Sequence, residues 1–300
     1  MDKIKIVCEM QKYIKAHIQD EDFCLENLYR FIGYSRRHAD RIFKELLKMT
    51  PTEYIKRIML TESAEKLSDS DESILNIALD SNFQSHEGFT RAFKNRFSIS
   101  PQEYRNAPCP IERFVQYPVN HYHIIKNNEG KEMDKNSMIC TVSVIKKPKR
   151  KLIFKRSKTA TGYLSYCEEN GCEWEGLLNS IQEKLDTAAL IELPEGMLKE
   201  GYSPIAAGIE IPIDYPFEIP EYEMSVLPEA LYLYFQSEPY ENEDDFAVAI
   251  SCVDRAIEKY DFARFGYKPI KEKSPSFNYG AQPENGARIA IPVEKSNERF

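Results

Sequence analysis

The phrase "TPTEY" at residues 50–54 returns as "SPQEY" at residues 100–104, fifty positions later. Both copies have the pattern of a helix start. A hydroxyl residue, Thr50 or Ser100, stands at the N-cap, proline follows at the first helical position, and Glu53 or Glu103 completes a capping box. At the same offset Ser35 matches Ser85, Arg41 matches Arg91, and Phe43 and Lys44 match Phe93 and Lys94. The repeat is therefore of a whole helical module, and the first third of the chain must fold as that module twice over.

Upstream of each phrase the same events occur. In "IGYSRRHADRIFKELLK" Gly33 suits a left-handed turn and Ser35 an N-cap; in "SNFQSHEGFTRAFKNRF" Asn82 takes the Gly role, with one extra residue before Ser85. Both copies predict helix, short turn, helix. The second helix divides by period: Ala39, Ile42, Phe43, Leu46 and Leu47 face inward, while Arg36, Arg37, Asp40, Arg41 and Lys44 face outward. In the second copy Phe89, Ala92, Phe93 and Phe97 oppose His86, Glu87, Thr90, Arg91 and Lys94. Amphipathicity alone favours a solvated surface; the repeated order of turn and Ser-capped basic helix reverses that preference and points to a helix-turn-helix whose capped helix enters the major groove. Residues 51–67 predict a connecting helix roughly 25 Å long, a spacer suited to holding two such helices about one DNA turn, ~34 Å, apart.

Charge agrees only when taken locally. The chain of 300 residues carries a net charge of -8, but residues 1–107 hold 17 basic and 17 acidic side chains, so the acidity lies downstream. Residues 30–57 hold eight basic residues against Asp40, Glu45 and Glu53, a basic patch suited to phosphate. The opening residues space Ile4, Val7, Met10, Ile14 and Ile18 as an amphipathic helix, not as a signal sequence, and the apolar runs are too short for a membrane span. Seven scattered cysteines without a C-x-x-C pair predict reduced thiols and a cytoplasmic protein.

Residues 30–106, above all "GFTRAFKNRFSISPQEYR", resemble the DNA-binding domain of the AraC/XylS regulators. Two positions depart from that pattern: Asn82 stands for the usual turn glycine, and Tyr29 for the usual alanine. The resemblance implies that Arg37, Asp40 and Arg41, with His86, Glu87, Thr90 and Arg91, face the bases, Arg36 lying on the same outward side. Lys44, Lys94 and Arg96 are expected at phosphates, with a solubilising role for Arg96 equally open. Arginine can pair bidentately with guanine, whereas an acid can accept only from cytosine N4 and is repelled by phosphate. Double-stranded promoter DNA and RNA polymerase are the implied partners, and activation the implied sign.

The proline-broken, then polar stretch at residues 108–137 predicts a linker between a DNA-binding domain at 1–107 and a second domain at 138–300. His121, His123 and Cys109 fit no metal-ligand spacing, so no metal or cofactor is expected. The second domain predicts α+β: strands in "SVIKKPKRKLIFKRS", "PIAAGIEIPI", "ALYLYFQS" and "ARIAIPVEK", with helices at "EWEGLLNSIQEKLDTA" and "NEDDFAVAISCVDRAIEKY". "GCEWEGLLNSI", "AAGIEIPIDY" and "IAIPV" resemble the GyrI-like, Rob-type effector-binding domain, which implies duplicated β-α-β-β units around a groove for small, often cationic and aromatic molecules.

The aromatic content suits such a groove: Tyr163, Tyr166, Trp174, Tyr215, Phe217, Phe277 and Tyr279 are candidate effector contacts, with Glu168, Glu169 and Glu210 as counter-charges. The stretches "YPFEIPEY" and "SPSFNYG" are expected as site-bearing loops. Asn278 and Arg288 stand where related domains often carry an acid, which leaves an anionic or neutral ligand open. The leading expectation is a regulator with a small-molecule effector and no catalytic residues. The alternatives are a hydrolase using Glu210 or Glu169 as acid or base, a drug-sequestering module, and a thiol sensor at Cys167 and Cys172.

Overall fold

A computed structural model describes residues 2–20, 23–120, 138–171, 173–216 and 218–296, in two compact units, Met1–His123 and Ile124–Phe300. The first unit is helical: α1 (Lys3–His17), α2 (Leu25–Ile32), α3 (Arg36–Leu47), α4 (Pro51–Asp69), α5 (Ile74–Asp80), α6 (His86–Phe97) and α7 (Pro101–Asn106). Gly33 ends α2 at φ 72° and Asn82 follows α5 at φ 58°, so the two turns meet the same left-handed demand with different residues. The repeat extends to the far ends of α3 and α6, where Lys48 and Ser98 both cap at φ 61°.

The two helix starts are alike but not identical. Ser100 and Glu103 form the full reciprocal box, Glu103 Oε2 accepting from the Ser100 N–H at 2.9 Å. At the first copy Thr50 Oγ1 accepts from the Glu53 N–H at 3.2 Å, but the Glu53 carboxylate turns to Arg57 at 2.6 Å. The box expected there is half formed because an arginine one turn on competes for the acid.

Helix α4 joins two cores. Tyr54, Ile55, Ile58 and Met59 pack with α1–α3, whereas Leu60, Ala64 and Leu67 pack with α5–α7. The stretch expected to begin a linker also packs on this unit. Ile111 is buried in the second core, Phe114 and Val119 lie against the first, and Phe114 N–H donates to Thr61 Oγ1 at 2.8 Å. Buried Gln11 donates to Tyr54 Oη and to the Tyr117 carbonyl and accepts from Val119 N–H. His121 and His123 lie outside the described residues, among which no group of three or more metal-ligating side chains occurs.

The second unit contains β1 (Cys140–Lys147), β2 (Arg150–Arg156), α8 (Tyr163–Asn170), α9 (Glu173–Asn179), β3 (Asp186–Glu192), β4 (Ile205–Ile211), β5 (Glu223–Leu227), β6 (Ala230–Ser237), α10 (Phe246–Lys259), β7 (Tyr267–Pro269), β8 (Ser276–Gln282) and β9 (Gly286–Lys295). The strands pair antiparallel in the order β1-β6-β9-β8-β3-β4-β2-β5, with β7 on β9. Exchanging β1–β4 for β5, β6, β8 and β9 turns this order into its own reverse. Helices α8 and α9 cover Ile153, Ala207, Ile209 and Ile211, and α10 covers Leu233, Phe235, Ile291 and Val293. The opposite face carries Leu152, Phe154, Tyr232, Tyr234, Phe277 and Tyr279.

That face is concave. Lys147 on β1 donates to Glu210 on β4, although four strands separate them in the sheet, a path of about 24 Å if the sheet were flat. The sheet curls into a half-barrel.

Three expectations are corrected. The helix foreseen over "EWEGLLNSIQEKLDTA" stops at Asn179, and its last three residues open β3, which is claimed by β4 and β8 on either side. "SFNYG" is not a loop but strand β8, with Gly280 at φ 73° in a bulge. Strands β5 and β7 and helix α8 occur where no element was foreseen.

Ile58, 2% exposed, sits on α4 where it meets the first core. Ile58→Ala is expected to lower stability by about 2–5 kcal/mol in urea denaturation.

Candidate functional site

In α3 the side chains of Arg36, Arg37, Arg41 and Lys44 are exposed, on the side opposite buried Ala39, Ile42 and Phe43. Arg41 Nη2 lies 3.3 Å from His38 Nδ1, a contact that steers the guanidinium without covering it. Asp40 is placed differently from its neighbours. Tyr29 Oη, on α2, donates to Asp40 Oδ1 at 2.7 Å, and Arg36 Nε lies 3.7 Å from Oδ2. Burial, then the Asp40 carboxylate, pushes the Tyr29 phenol well above its ordinary pKa, which keeps it a donor. The second acid of α3, Glu45, binds Lys3 of α1 at 2.6 Å.

In α6 the side chains of His86, Glu87, Arg91 and Lys94 are exposed. Ser85 Oγ caps the helix by accepting from Gly88 N–H at 3.1 Å, and Glu87 adds negative charge to the first turn, where the helix dipole favours it. Thr90 is half-buried, and its Oγ1 has no hydrogen-bond partner among the described residues. Arg96 is engaged within the unit. Its Nη2 donates to the Glu112 carbonyl at 2.7 Å, Nη1 lies 3.4 Å from Glu112 Oε2, and the guanidinium packs 5.4 Å from the Phe97 ring centre. It ties down the segment after α7, the structural alternative to the phosphate role.

The effector candidates fall into separate places. Tyr166, Trp174 and Tyr215 are buried in the helix-covered layer; Tyr166 Oη donates to the Lys155 carbonyl, and its ring meets Trp174 edge-on. Tyr163 is half-buried and Glu168 exposed on α8, while Phe217 lies outside the described residues. Glu169 closes the loop after β2, accepting from the N–H groups of Lys158 and Thr159 and from the hydroxyls of Ser157 and Thr159. Desolvation opposes these bonds, but together they bring its carboxyl down to about 2. As a structural acceptor set it is a poor acid or base.

On the concave face Glu210, Phe277 and Tyr279 of the set meet. Glu210 accepts from Lys147 Nζ, from Arg150 Nε and, at 3.0 Å, from Tyr279 Oη. Lys147 Nζ also donates to Tyr279 Oη at 2.7 Å and stands 5.1–5.8 Å from the ring centres of Tyr232, Tyr234, Phe277 and Tyr279. Burial lowers the pKa of this ammonium against the pull of Glu210. Arg288 Cζ lies 4.9 Å from the Tyr279 ring centre, and its guanidinium grips Asp186 at 3.0 and 3.1 Å. The face is thus an aromatic box with a cation already in it. Lys147, Arg150, Tyr232 and Tyr234 were not singled out from sequence. Their signal was the basic run "KKPKR" beside the Tyr-rich "ALYLY", and only strand pairing puts the two together.

The family model described as a helix-turn-helix domain matches residues 28–107. The multiple antibiotic resistance protein MarA of Escherichia coli is 37% identical over 99 residues, which are 33% of this chain and 78% of MarA. The right origin-binding protein of Escherichia coli is 35% identical over 108 residues, 36% of this chain and 37% of that protein. A solved AraC-type regulator from Chromobacterium violaceum is 28% identical, with a TM-score of 0.32, over 35% of this chain and 96% of that one. The chain belongs to the AraC/XylS family of DNA-binding transcription regulators. No helix among the described residues is long and apolar enough to cross a membrane.

Glu210 and Arg150 are almost wholly buried. Glu210→Ala, which leaves two buried cations without their acid, is expected to cost about 3–5 kcal/mol. Lys147→Met, which leaves Glu210 with Arg150 and Tyr279, should cost less; urea denaturation of the two variants compares them.

Proposed function

We propose that the chain is a one-component regulator, in which two helix-turn-helix units of the helical domain read promoter DNA and the sheet domain receives a small-molecule effector. The observation that carries the reading is the matched pair α3 and α6. Both present exposed basic side chains over a buried apolar side, and both end in the same left-handed cap fifty residues apart. Arg37 and Arg41 from α3, with His86, Glu87 and Arg91 from α6, are the base-reading set; Arg36, Lys44 and Lys94 serve the phosphates. The connecting helix α4 has 19 residues, about 28 Å, which suits successive major grooves of one duplex. Family resemblance supports activation through RNA polymerase.

Selection of bound sequences from a random DNA pool tests this reading: two boxes about one helical turn apart are expected, and no enrichment would count against it. On the selected site Arg41→Ala should lose about 1–3 kcal/mol at one base position, while Lys44→Ala weakens cognate and scrambled duplexes alike. Equal losses on both duplexes for Arg41→Ala would remove it from the base-reading set.

For the effector, the aromatic box on the concave face supports a GyrI-like role. A ligand cation entering it must exchange with the Lys147 ammonium, so that uptake and release of the β1–β2 connection become one event. A panel of small aromatic cations is expected to contain members that raise the Tm of the full chain and alter its affinity for the selected DNA. Ligands that raise Tm with no effect on DNA affinity would instead favour a sequestering role.

A further inference from the structure

We infer that Tyr29 is a positioning residue for DNA recognition: its phenol draws the Asp40 carboxylate back into the fold, so that α3 confronts the duplex with basic side chains alone. The inference rests on the DNA-reading proposal above. Asp40 is the one acid on the outward side that also carries Arg36, Arg37, Arg41 and Lys44. Left to swing, a carboxylate there would accept from cytosine N4 or meet the phosphates with the wrong sign. The structure answers both oxygens from within the protein, Oδ1 by Tyr29 Oη at 2.7 Å and Oδ2 by Arg36 Nε at 3.7 Å.

Three further observations support a specific device over incidental packing. The second unit lacks both halves of it: Ala78, the counterpart of Tyr29 when the turns at Gly33 and Asn82 are superposed in sequence, is buried without a donor group, and Thr90 stands where Asp40 stands. Tyr29 is also one of the departures from the AraC/XylS pattern, and a buried tyrosine in place of alanine brings a hydroxyl that must be satisfied. The other acid of α3 is treated alike. Glu45 is held at 2.6 Å by Lys3, and this bond to Lys3 lowers its carboxyl pKa. Both negative charges of the helix are tethered to helices that precede it.

The test is selection from a random DNA pool, followed by titration of cognate and scrambled duplexes at about physiological salt, for the parent chain, Tyr29→Phe, Asp40→Asn and the double variant. Asp40→Asn is expected to select the parent motif, because the carboxylate does not read a base in the parent. Tyr29→Phe frees one negative charge and should lose roughly fivefold on both duplexes at about 0.15 M salt, the worth of one phosphate contact in counterion release. It should also gain a cytosine preference at one position. The double variant should return to the parent motif and affinity, a rescue that a merely structural role for the hydroxyl would not produce. Relaxed preference at one base in Asp40→Asn would overturn the inference, since Asp40 would then be reading DNA already. A folded Tyr29→Phe that binds and selects like the parent would overturn it as well. If Tyr29→Phe does not fold by circular dichroism, Asp40→Asn with Tyr29 intact decides the matter. No enrichment by the parent would bring down the DNA-reading proposal and, with it, the role of Tyr29.

Discussion

Helix α4 is the constraint on which the helical unit depends. An ordinary surface helix buries one stripe and leaves the rest in water. Here Tyr54, Ile55, Ile58 and Met59 belong to one core, and Leu60, Ala64 and Leu67 to another, so apolar side chains leave the helix in more than one direction. Each flanking module is small, and neither would bury its apolar face without a shared wall. By supplying that wall α4 also makes the separation of α3 and α6 a property of one rigid rod. The segment after α7 strengthens the arrangement, since Ile111, Phe114 and Val119 pack on both cores while Arg96 and Gln11 hold its backbone.

A different rule governs the concave face of the sheet. Ions taken out of water must be paired, and two cations that share one carboxylate are only partly paired. The four aromatic rings around Lys147 supply negative π-faces toward the remaining charge, and Tyr279 accepts from the ammonium while donating to Glu210. A cation held this way is held by contacts that another cation of suitable size can make. Glu210 is the acceptor that Lys147, Arg150 and Tyr279 share.

The helical half was legible because its signals are local. Caps, turn residues and a 3.6-residue period lie within a few positions of one another, and the offset of fifty aligned them. What sequence did not show there was competition between nearby groups: Arg57 took the Glu53 carboxylate from its box, Tyr29 donates to the Asp40 carboxylate, and Arg96 donates to the Glu112 carbonyl. The sheet half was legible by element and much less by position. "DTA" continues a helical pattern until β4 and β8 claim it, and "SFNYG" has the composition of a turn until β3 and β9 flank it. Strand register is set by partners far away in sequence, so the face that a tyrosine or glutamate occupies cannot be read from its neighbours.

By itself, then, the amino-acid sequence determined that the first third of this protein is one helical module used twice, with a basic helix in each copy, because capping and periodicity act over a single turn of chain. Resemblance to the AraC/XylS pattern marked Tyr29 as a departure, and Glu210 stood among the candidate counter-charges of the second domain. Only the tertiary structure decided that Tyr29 bonds Asp40 across two helices, that Trp174 and Tyr166 lie in the helix-covered layer while Phe277 and Tyr279 lie buried on the concave face, and that Lys147 fills the box around Glu210. Those outcomes depend on groups brought together from up to 132 positions apart, and distance along the chain carries no record of such a meeting until the sheet has curled.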